Sequence, residues 1–511
     1  MADFDPWKLV NPDESFDEFT RIPSFEEIEK KSIKQHSSQY PLRTVGVGEE
    51  ELVITEEERS ANMHIIGQPG QGKSKLLEHQ IRQDIDLGNG LCLLDPSDNG
   101  DTAKAILRYC AKIGYEKVIY IDPDVNLRLN KIPTLKLLKP APYTNQSVDS
   151  VLESVNALFG VHRQTDTNRI RRNFSALLNV LAKKGLTINE ARYFMRWQPA
   201  DLLPFLEDDE DSLIVKDSFR SPNHFENYFI TTVGRIDTFR QEPISLMTAA
   251  DTGIDFVKMV REGWVILVNL SPSKTLLTTP ARLLGIFIIS EIIHGVSVLF
   301  HSHPEGEIKN VFNLYIDEAT RLASPQIKFI IQYMRKMGLR LIIAHHEFDQ
   351  FREQGQQDVL SAIKNGCRIK MMFNISSAKD RLEMVEDLGY GGDIHPTLAS
   401  YANQNIPKRY MVIKKDKETP VRIKVPEVKE VNISQEAVND YIKSICSNPW
   451  YLIREQIEQQ INARQFKAHP PREEGGHSKP PKHRTKNDGA TNRKAGISNK
   501  KDNFDKWKDL S

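Results

Sequence analysis

The chain has 511 residues, 39% hydrophobic and 27% charged, the balance of a soluble globular protein with room for more than one core. Lysine plus arginine and aspartate plus glutamate each total 69, so net charge points to no partner, although the N-terminal stretch leans acidic and the C-terminal stretch basic. Four scattered cysteines (Cys92, Cys110, Cys367, Cys446) form no CxxC pair, which excludes a disulfide framework or a cysteine zinc site and points to a reducing compartment.

In chain order, residues 1–41 read as an acidic, proline-broken arm with one short helix over "SFEEIEKKSIKQ". They lack the basic and apolar regions of a signal peptide, so a cytoplasmic location is expected. From residue 42 the texture changes to short apolar runs alternating with helical periods. "MHII" predicts a strand ending in a glycine-rich turn, and Leu76, Leu77, Gln80, Ile81 and Ile85 predict a helix running to Gly88. "LCLLD" and "KVIYID" predict two further strands around the helix "TAKAILRYCAKIG". Strands that are apolar throughout imply a mostly parallel sheet covered on both faces.

Residues 145–220 contain three helical periods ("VDSVLESVNALFG", "IRRNFSALLNVLAKKG", "INEARYFMRW") and no strand, the pattern of an all-α insertion. The α/β pattern returns with "WVILVNLS", a helix over 280–299, "VFNLYIDEA", the helix "PQIKFIIQYMRKMG", "LRLIIAHH" and "RIKMMFNI". The apolar run 283–300 is long enough to raise a membrane span, but Glu291 and His294 near its middle favour a buried core helix. The expected organisation is therefore one α/β domain from 42–144 and 221–430, the insertion at 145–220, C-terminal helices over 431–464 and a basic, disordered tail over 465–511.

The motif with the most chemical content is "GQPGQGKS", a complete GxxxxGK[ST] placed between a predicted strand and an amphipathic helix. The binding stretch is Gly67, Gln68, Pro69, Gly70, Gln71, Gly72, Lys73, Ser74 and Lys75. Its glycines allow backbone N–H groups to turn around phosphate oxygens, Lys73 is placed for the β- and γ-phosphates, and the Ser74 hydroxyl for Mg2+. A phosphate loop needs a second acidic element, and "YIDEA" supplies it. Asp317 ends an apolar strand, where it would hold the metal, and Glu318 follows in the place of a base for the attacking water. A carboxylate there favours hydrolysis, and no guanine-reading NKxD stands in a suitable position, so ATP with Mg2+ is the expected cofactor pair. Asp95 and Asp122 also end strands; each sits in an Asp-Pro turn, and Asp95 is expected on the strand beside the phosphate-loop strand.

These segments, taken in order with "LNKIPTLK", "ILVNLS", "RKMGLRLIIAHHEFDQF" and "DVLSAIKNGCRIKMMFNISSAKD", resemble the HerA/FtsK superfamily. The nearest likeness is to the conjugative coupling proteins of the TraG/TraD class and their DUF87-like relatives, over residues 45–400. The resemblance implies a RecA-like ATPase that assembles into a ring, usually a hexamer, and threads DNA through it. It also implies an arginine supplied in trans, for which Arg335, Arg340 and Arg368 are candidates. The alternative is a nucleotide-gated assembly module that recruits a nuclease, relaxase or secretion partner. DNA contacts are expected from "NRIRRNF" and the basic tail, where phosphate binding needs no sequence reading. The final "DNFDKWKDLS" is read as a short docking peptide.

Two departures from the family stand out: it usually carries glutamine where this chain has His346, and a basic residue near Asn374. "HHEFD" is not HExxH, and its histidines leave a strand rather than ride a helix, so it is not read as a zinc site. His346 is read instead as a polar sensor near the γ-phosphate, His345 as its neighbour, and Gln350 as the family's second glutamine.

Overall fold

The computed structural model describes residues 42–47, 51–159, 164–196, 202, 205–273, 275–302, 311–390, 406–416, 418 and 420–468. The acidic arm 1–41 and the basic tail beyond Ala468, with the readings made of them, lie outside the described residues.

The core is a sheet of 11 strands. In chain order these are β1 (Leu42–Val47), β2 (Glu51–Thr55), β3 (Met63–Ile66), β4 (Gly90–Asp95), β5 (Val118–Ile121), β7 (Val265–Asn269), β8 (Phe312–Ile316), β9 (Leu339–His345), β10 (Ile369–Met372), β11 (Tyr410–Lys415) and β12 (Val421–Lys424). A separate two-stranded ribbon pairs β6 (Ile132–Pro133) with β13 (Tyr451–Leu452). The order across the sheet is β2-β1-β12-β11-β10-β3-β9-β8-β4-β7-β5. The block from β10 to β5 is parallel throughout, and the remaining strands add as antiparallel neighbours at one side. Strands β3, β4, β5, β7, β8 and β9 are buried at every position, which is why each reads as an unbroken apolar run.

The helices that matter for the site are α1 (Lys73–Asp86), α2 (Asp101–Ile113), α3 (Thr144–Phe159), α4 (Gln164–Lys183), α5 (Thr278–His301), α6 (Pro325–Tyr333) and α7 (Arg454–Ala468). From α3 to Glu262 the described residues form helices and turns with no strand among them, past the limit of 220 read from the sequence. The segment 188–197, read as one more helical period, forms a 3-10 turn at Ile188–Phe194. There the Glu190 carboxylate folds back to the Thr187 amide and is bridged by Arg464 Nε at 3.1 Å, which pins a tight turn. Helix α7 runs to Ala468, beyond the boundary of 464.

By length and hydropathy α5 is the only helix among the described residues that could cross a membrane, and two thirds of its apolar window is buried within the fold. Its central Glu291 is ion-paired with Lys139 at 2.7 Å, and His294 meets the Tyr143 ring edge-on at 5.1 Å. These are the contacts of a core helix.

One buried charge cluster ties the phosphate-loop helix to the sheet. Arg59, in the one-turn helix Glu56–Arg59, makes a bidentate pair with Asp84 of α1 at 2.6 and 2.9 Å, and also meets the Tyr315 hydroxyl of β8 at 2.7 Å and Glu56 at 3.5 Å. Arg59 is 1% and Asp84 0% exposed. Removing one partner strands the other charge in the core. Asp84→Ala is therefore expected to cost about 3–5 kcal/mol in urea unfolding, and Arg59→Met with Asp84→Leu together much less. Equal losses for the single and double variants would show that the pair does not act as a unit.

Candidate functional site

Parallel pairing brings the C-terminal ends of β3, β9, β8 and β4 to one edge of the sheet, in that order. Residues that follow these strands must then share that edge, the usual place for a ligand on an open α/β sheet. The phosphate loop follows β3, His346 follows β9, Asp317 follows β8, and Asp95 ends β4. This corrects the sequence-based placement of Asp95: its strand is not beside the phosphate-loop strand, because β9 and β8 lie between. Together the loop, Glu318, His346 and Gln350 line an open cleft of about 820 Å3.

The three loop glycines serve different needs. Gly70 and Gly72 take φ of 77° and 118°, the left-handed region where a side chain is strained. Gly67 is required by packing, since a Cβ there would stand 2.4 Å from Phe373 Cβ. The amides of Gly67 and Gln68 are spent on the carbonyls of His345 and Asn374, at 3.3 and 2.9 Å. Among the described residues the amides from Gly70 to Ser74 have no acceptor, so the N–H groups open to a ligand are those of the turn and the first residues of α1. They form an anion cradle reinforced by the helix dipole.

Lys73 is 4% exposed, and its Nζ lies against the Gly67 and Gln68 carbonyls and 2.7 Å from His346 Nδ1. Burial, offset by Asp317 and Glu318, lowers its pKa to about 8. His346 Nε2 in turn pairs with Glu318 Oε1. Nδ1 also stands 3.1 Å from the Gly67 carbonyl; the tautomer with its proton on Nε2 lets Lys73 donate to Nδ1 and the ring donate to Glu318. Lysine, imidazole and carboxylate thus form one chain of hydrogen bonds across the cleft. Burial works against ionisation of Glu318, but the bond from His346 and the charge of Lys73 bring its carboxyl below the usual range. Glu318 holds φ 50° and ψ 48°, a left-handed conformation unusual for a residue with a side chain.

Asp317 is 2% exposed and accepts from Ser74 Oγ at 2.9 Å and Thr102 Oγ1 at 3.3 Å. Burial and the nearby Asp95 push its carboxyl up to about 6. Ser74 and Asp317 together present the hard oxygen donors that suit Mg2+. Because the raised pKa disfavours the charged form, ionised Asp317 costs stability that is absent at low pH and grows as pH rises from the ordinary carboxylate range through 6. Asp317→Asn is expected to raise free-protein stability at pH 7.5 by up to about 3 kcal/mol, read as a higher Tm, while abolishing metal-dependent turnover. An unchanged or lower Tm would sink this electrostatic account.

The remaining sequence-predicted residues separate clearly. His345 is fully buried, with Nε2 2.8 Å from His64 Nε2 on β3, and burial takes its pKa down to about 3. Gln350 Oε1 accepts from Thr320 Oγ1 at 3.0 Å and faces the cleft. Asp95 holds Ser97 and the Ala103 amide, and Asp122 caps the helix Pro123–Arg128. Of the arginines, Arg340 is 7% exposed and paired with Glu56, which leaves it no reach to another subunit. Arg335 and Arg368 are exposed. Three residues were missed. Thr102 shares Asp317 with Ser74, and Lys408 and Arg409 line the cleft. Arg409 is held at φ 70° by bonds from its amide to the Gln71 carbonyl (2.7 Å) and to its carbonyl from the Val425 amide (2.7 Å). The only sequence signal for it was a basic pair before a strand.

The fold and the cleft define an α/β P-loop protein of RecA-like architecture, and comparison with solved structures narrows the likeness. The plasmid coupling protein TrwB, in complex with the non-hydrolysable ATP analogue ADPNP, is 15% identical, with TM-score 0.59 over 85% of this chain and 96% of that one. TrwB in complex with ADP and Mg2+ matches with TM-score 0.57 at 15% identity, over 82% of this chain and 95% of that one. VirB4 of Thermoanaerobacter pseudethanolicus matches with TM-score 0.51 at 13% identity, over 80% of this chain and all of that one. No protein-family model matches the chain, and no curated protein does.

Proposed function

We propose that this chain is an ATPase that works as a ring motor, moving DNA in the manner of a coupling protein. The observation that carries the reading is the pairing, across one cleft, of five free loop amides and Lys73 with the Asp317–Glu318 carboxylates. The free amides and Lys73 bind and orient phosphate oxygens. Lys408 and Arg409 add positive charge at the same cleft. Ser74 and Asp317 would hold Mg2+, which supplies charge neutralisation between phosphates. Glu318 takes a proton from the attacking water, with His346 holding its carboxylate. Structures of TrwB with ADP and Mg2+ and with ADPNP support the nucleotide assignment.

The ring and the DNA belong to the same reading and rest on the shared fold; the cytoplasmic setting rests on the sequence reading. Exposed Arg335 and Arg368 are the remaining candidates for an arginine acting in trans. Arg171 and Arg172, exposed on α4, are candidate phosphate contacts. The test is ATP turnover with and without single- and double-stranded DNA, on wild type and Lys73→Ala, with particle mass measured alongside. DNA-stimulated turnover by a ring-sized particle, lost in Lys73→Ala, is the expected result. Turnover indifferent to both DNA forms would leave only the recruitment reading.

A further inference from the structure

The phosphate loop follows β3 and has the reaction groups on one side: His346 follows β9, and Asp317 and Glu318 follow β8. On its other side lie β10 and then β11. Strand β11 runs antiparallel to β10, with Ile369 opposite Lys415 and Met372 opposite Val412, so β11 begins at the edge where β3 and β10 end. Arg409 immediately precedes β11 and lines the cleft, so it enters from the side of the loop away from Glu318 and His346.

Arg409 is fastened to the loop. Its amide donates to the Gln71 carbonyl and its carbonyl accepts from the Val425 amide, each at 2.7 Å. A Cβ on Gly72 would stand 3.4 Å from both the Cα and the Cγ of Arg409, so the stem of its side chain packs on the loop glycine. These bonds hold it at φ 70°, a left-handed conformation that strains a residue with a side chain and is met at ligand sites. The charge is unspent as well. Lys75 is paired with Glu78 at 2.7 Å and Arg321 with Asp98 at 2.6 Å, and Lys73 lies against loop carbonyls and His346. The Arg409 guanidinium has no hydrogen bond or ion pair among the described residues. In a phosphate loop the lysine reaches the β- and γ-phosphates, while the turn amides cradle the phosphates nearer the nucleoside. Arg409 stands beside those amides, not beside the groups that act on the γ-phosphate.

We infer that Arg409 binds nucleotide within its own subunit, its guanidinium holding the α- and β-phosphates and taking no part at the γ-phosphate. The inference rests on the nucleotide reading above and says which end of the phosphate chain this residue serves. Calorimetric titration of the full-length protein in excess Mg2+ tests it, with ADP, ADPNP and inorganic tripolyphosphate as probes. Arg409→Gly removes the guanidinium at a φ that glycine adopts freely, and Arg409→Asn does so with a residue that tolerates the left-handed region. Both are expected to fold normally and to weaken all three probes by one common factor of about 10–100. Arg409→Lys is expected to fall between them and wild type. At saturating ATP, kcat should stay within about threefold in every variant, as when binding shared by ground and transition states is lost. ADPNP weakened with ADP unchanged would move Arg409 to the γ-phosphate, and ADP and ADPNP weakened with tripolyphosphate unchanged would move it to the ribose or base; either overturns the inference. So does affinity lost in Arg409→Gly but kept in Arg409→Asn, which makes the backbone the cause. Binding that is lost in Lys73→Ala and unchanged in all three Arg409 variants overturns this inference alone. A wild-type protein that binds none of the probes overturns the nucleotide reading with it.

Discussion

Replacing Lys73 with methionine is expected to abolish nucleotide binding and yet make the free protein more stable. The fold holds an ammonium group at 4% exposure, and burial lowers its pKa to about 8. Its partners are carbonyls, an imidazole nitrogen and two carboxylates of the cleft, which compensate the desolvation only in part. A pKa below the ordinary lysine value means that the charged form costs stability at neutral pH. The penalty fades as pH rises through 8 and is gone above the unfolded-state value. At pH 7 it amounts to about 3 kcal/mol, which Lys73→Met should return as a higher Tm. A bound polyanion reverses the balance, because it raises the lysine pKa. Nucleotide affinity should therefore fall as pH rises through about 8, with proton uptake on binding. Calorimetry in buffers of different ionisation enthalpy, at pH 8, reads that uptake directly. No uptake, together with unchanged stability in Lys73→Met, would mean the lysine is not poised for an anion.

Sequence reading reached the strands and the edge chemistry because both are written locally. The runs "MHII", "LCLLD" and "LRLIIAHH" are apolar at every position, as strands covered on both faces must be, and each precedes a residue of the cleft. Asp317 and Ser74, far apart in the chain, could be paired in advance because each motif implies the other. What pairing does to strand order is not local. Asp95 reads in sequence as a neighbour of the phosphate loop, but β9 and β8 lie between their strands. Thr102 and Arg409 were invisible for a related reason: one is brought in by the start of α2, the other by an antiparallel strand, and neither carries a motif. Arg340 shows the converse, since an arginine free to act in trans cannot be told in sequence from one closed against Glu56. The stretch from 221 to Glu262 is not legible as helical in sequence because "SPNHFENYF" and its neighbours lack the apolar period of a long helix; they fold as several short ones.

Glu318→Gln is expected to keep ATP binding and to lower kcat by roughly 10^2–10^4, the range for loss of a general base. The substitution preserves shape: a glutamine Oε1 still accepts the proton of His346 Nε2, so the chain from Lys73 through His346 survives as a structure and loses only its proton acceptor. The backbone gives a second handle. Glu318 sits at φ 50°, which glycine tolerates without strain, and the Glu318 amide donates to Asp317 Oδ1 at 3.1 Å. Glu318→Gly should therefore lose turnover as fully as Glu318→Gln while relieving about 1 kcal/mol or more of backbone strain. His346→Gln completes the set: glutamine can donate to Glu318 and accept from Lys73, so substantial turnover should remain, whereas His346→Ala breaks the chain and should fall well below it. If Glu318→Gln turned over ATP within about threefold of wild type, the proton would have to go elsewhere.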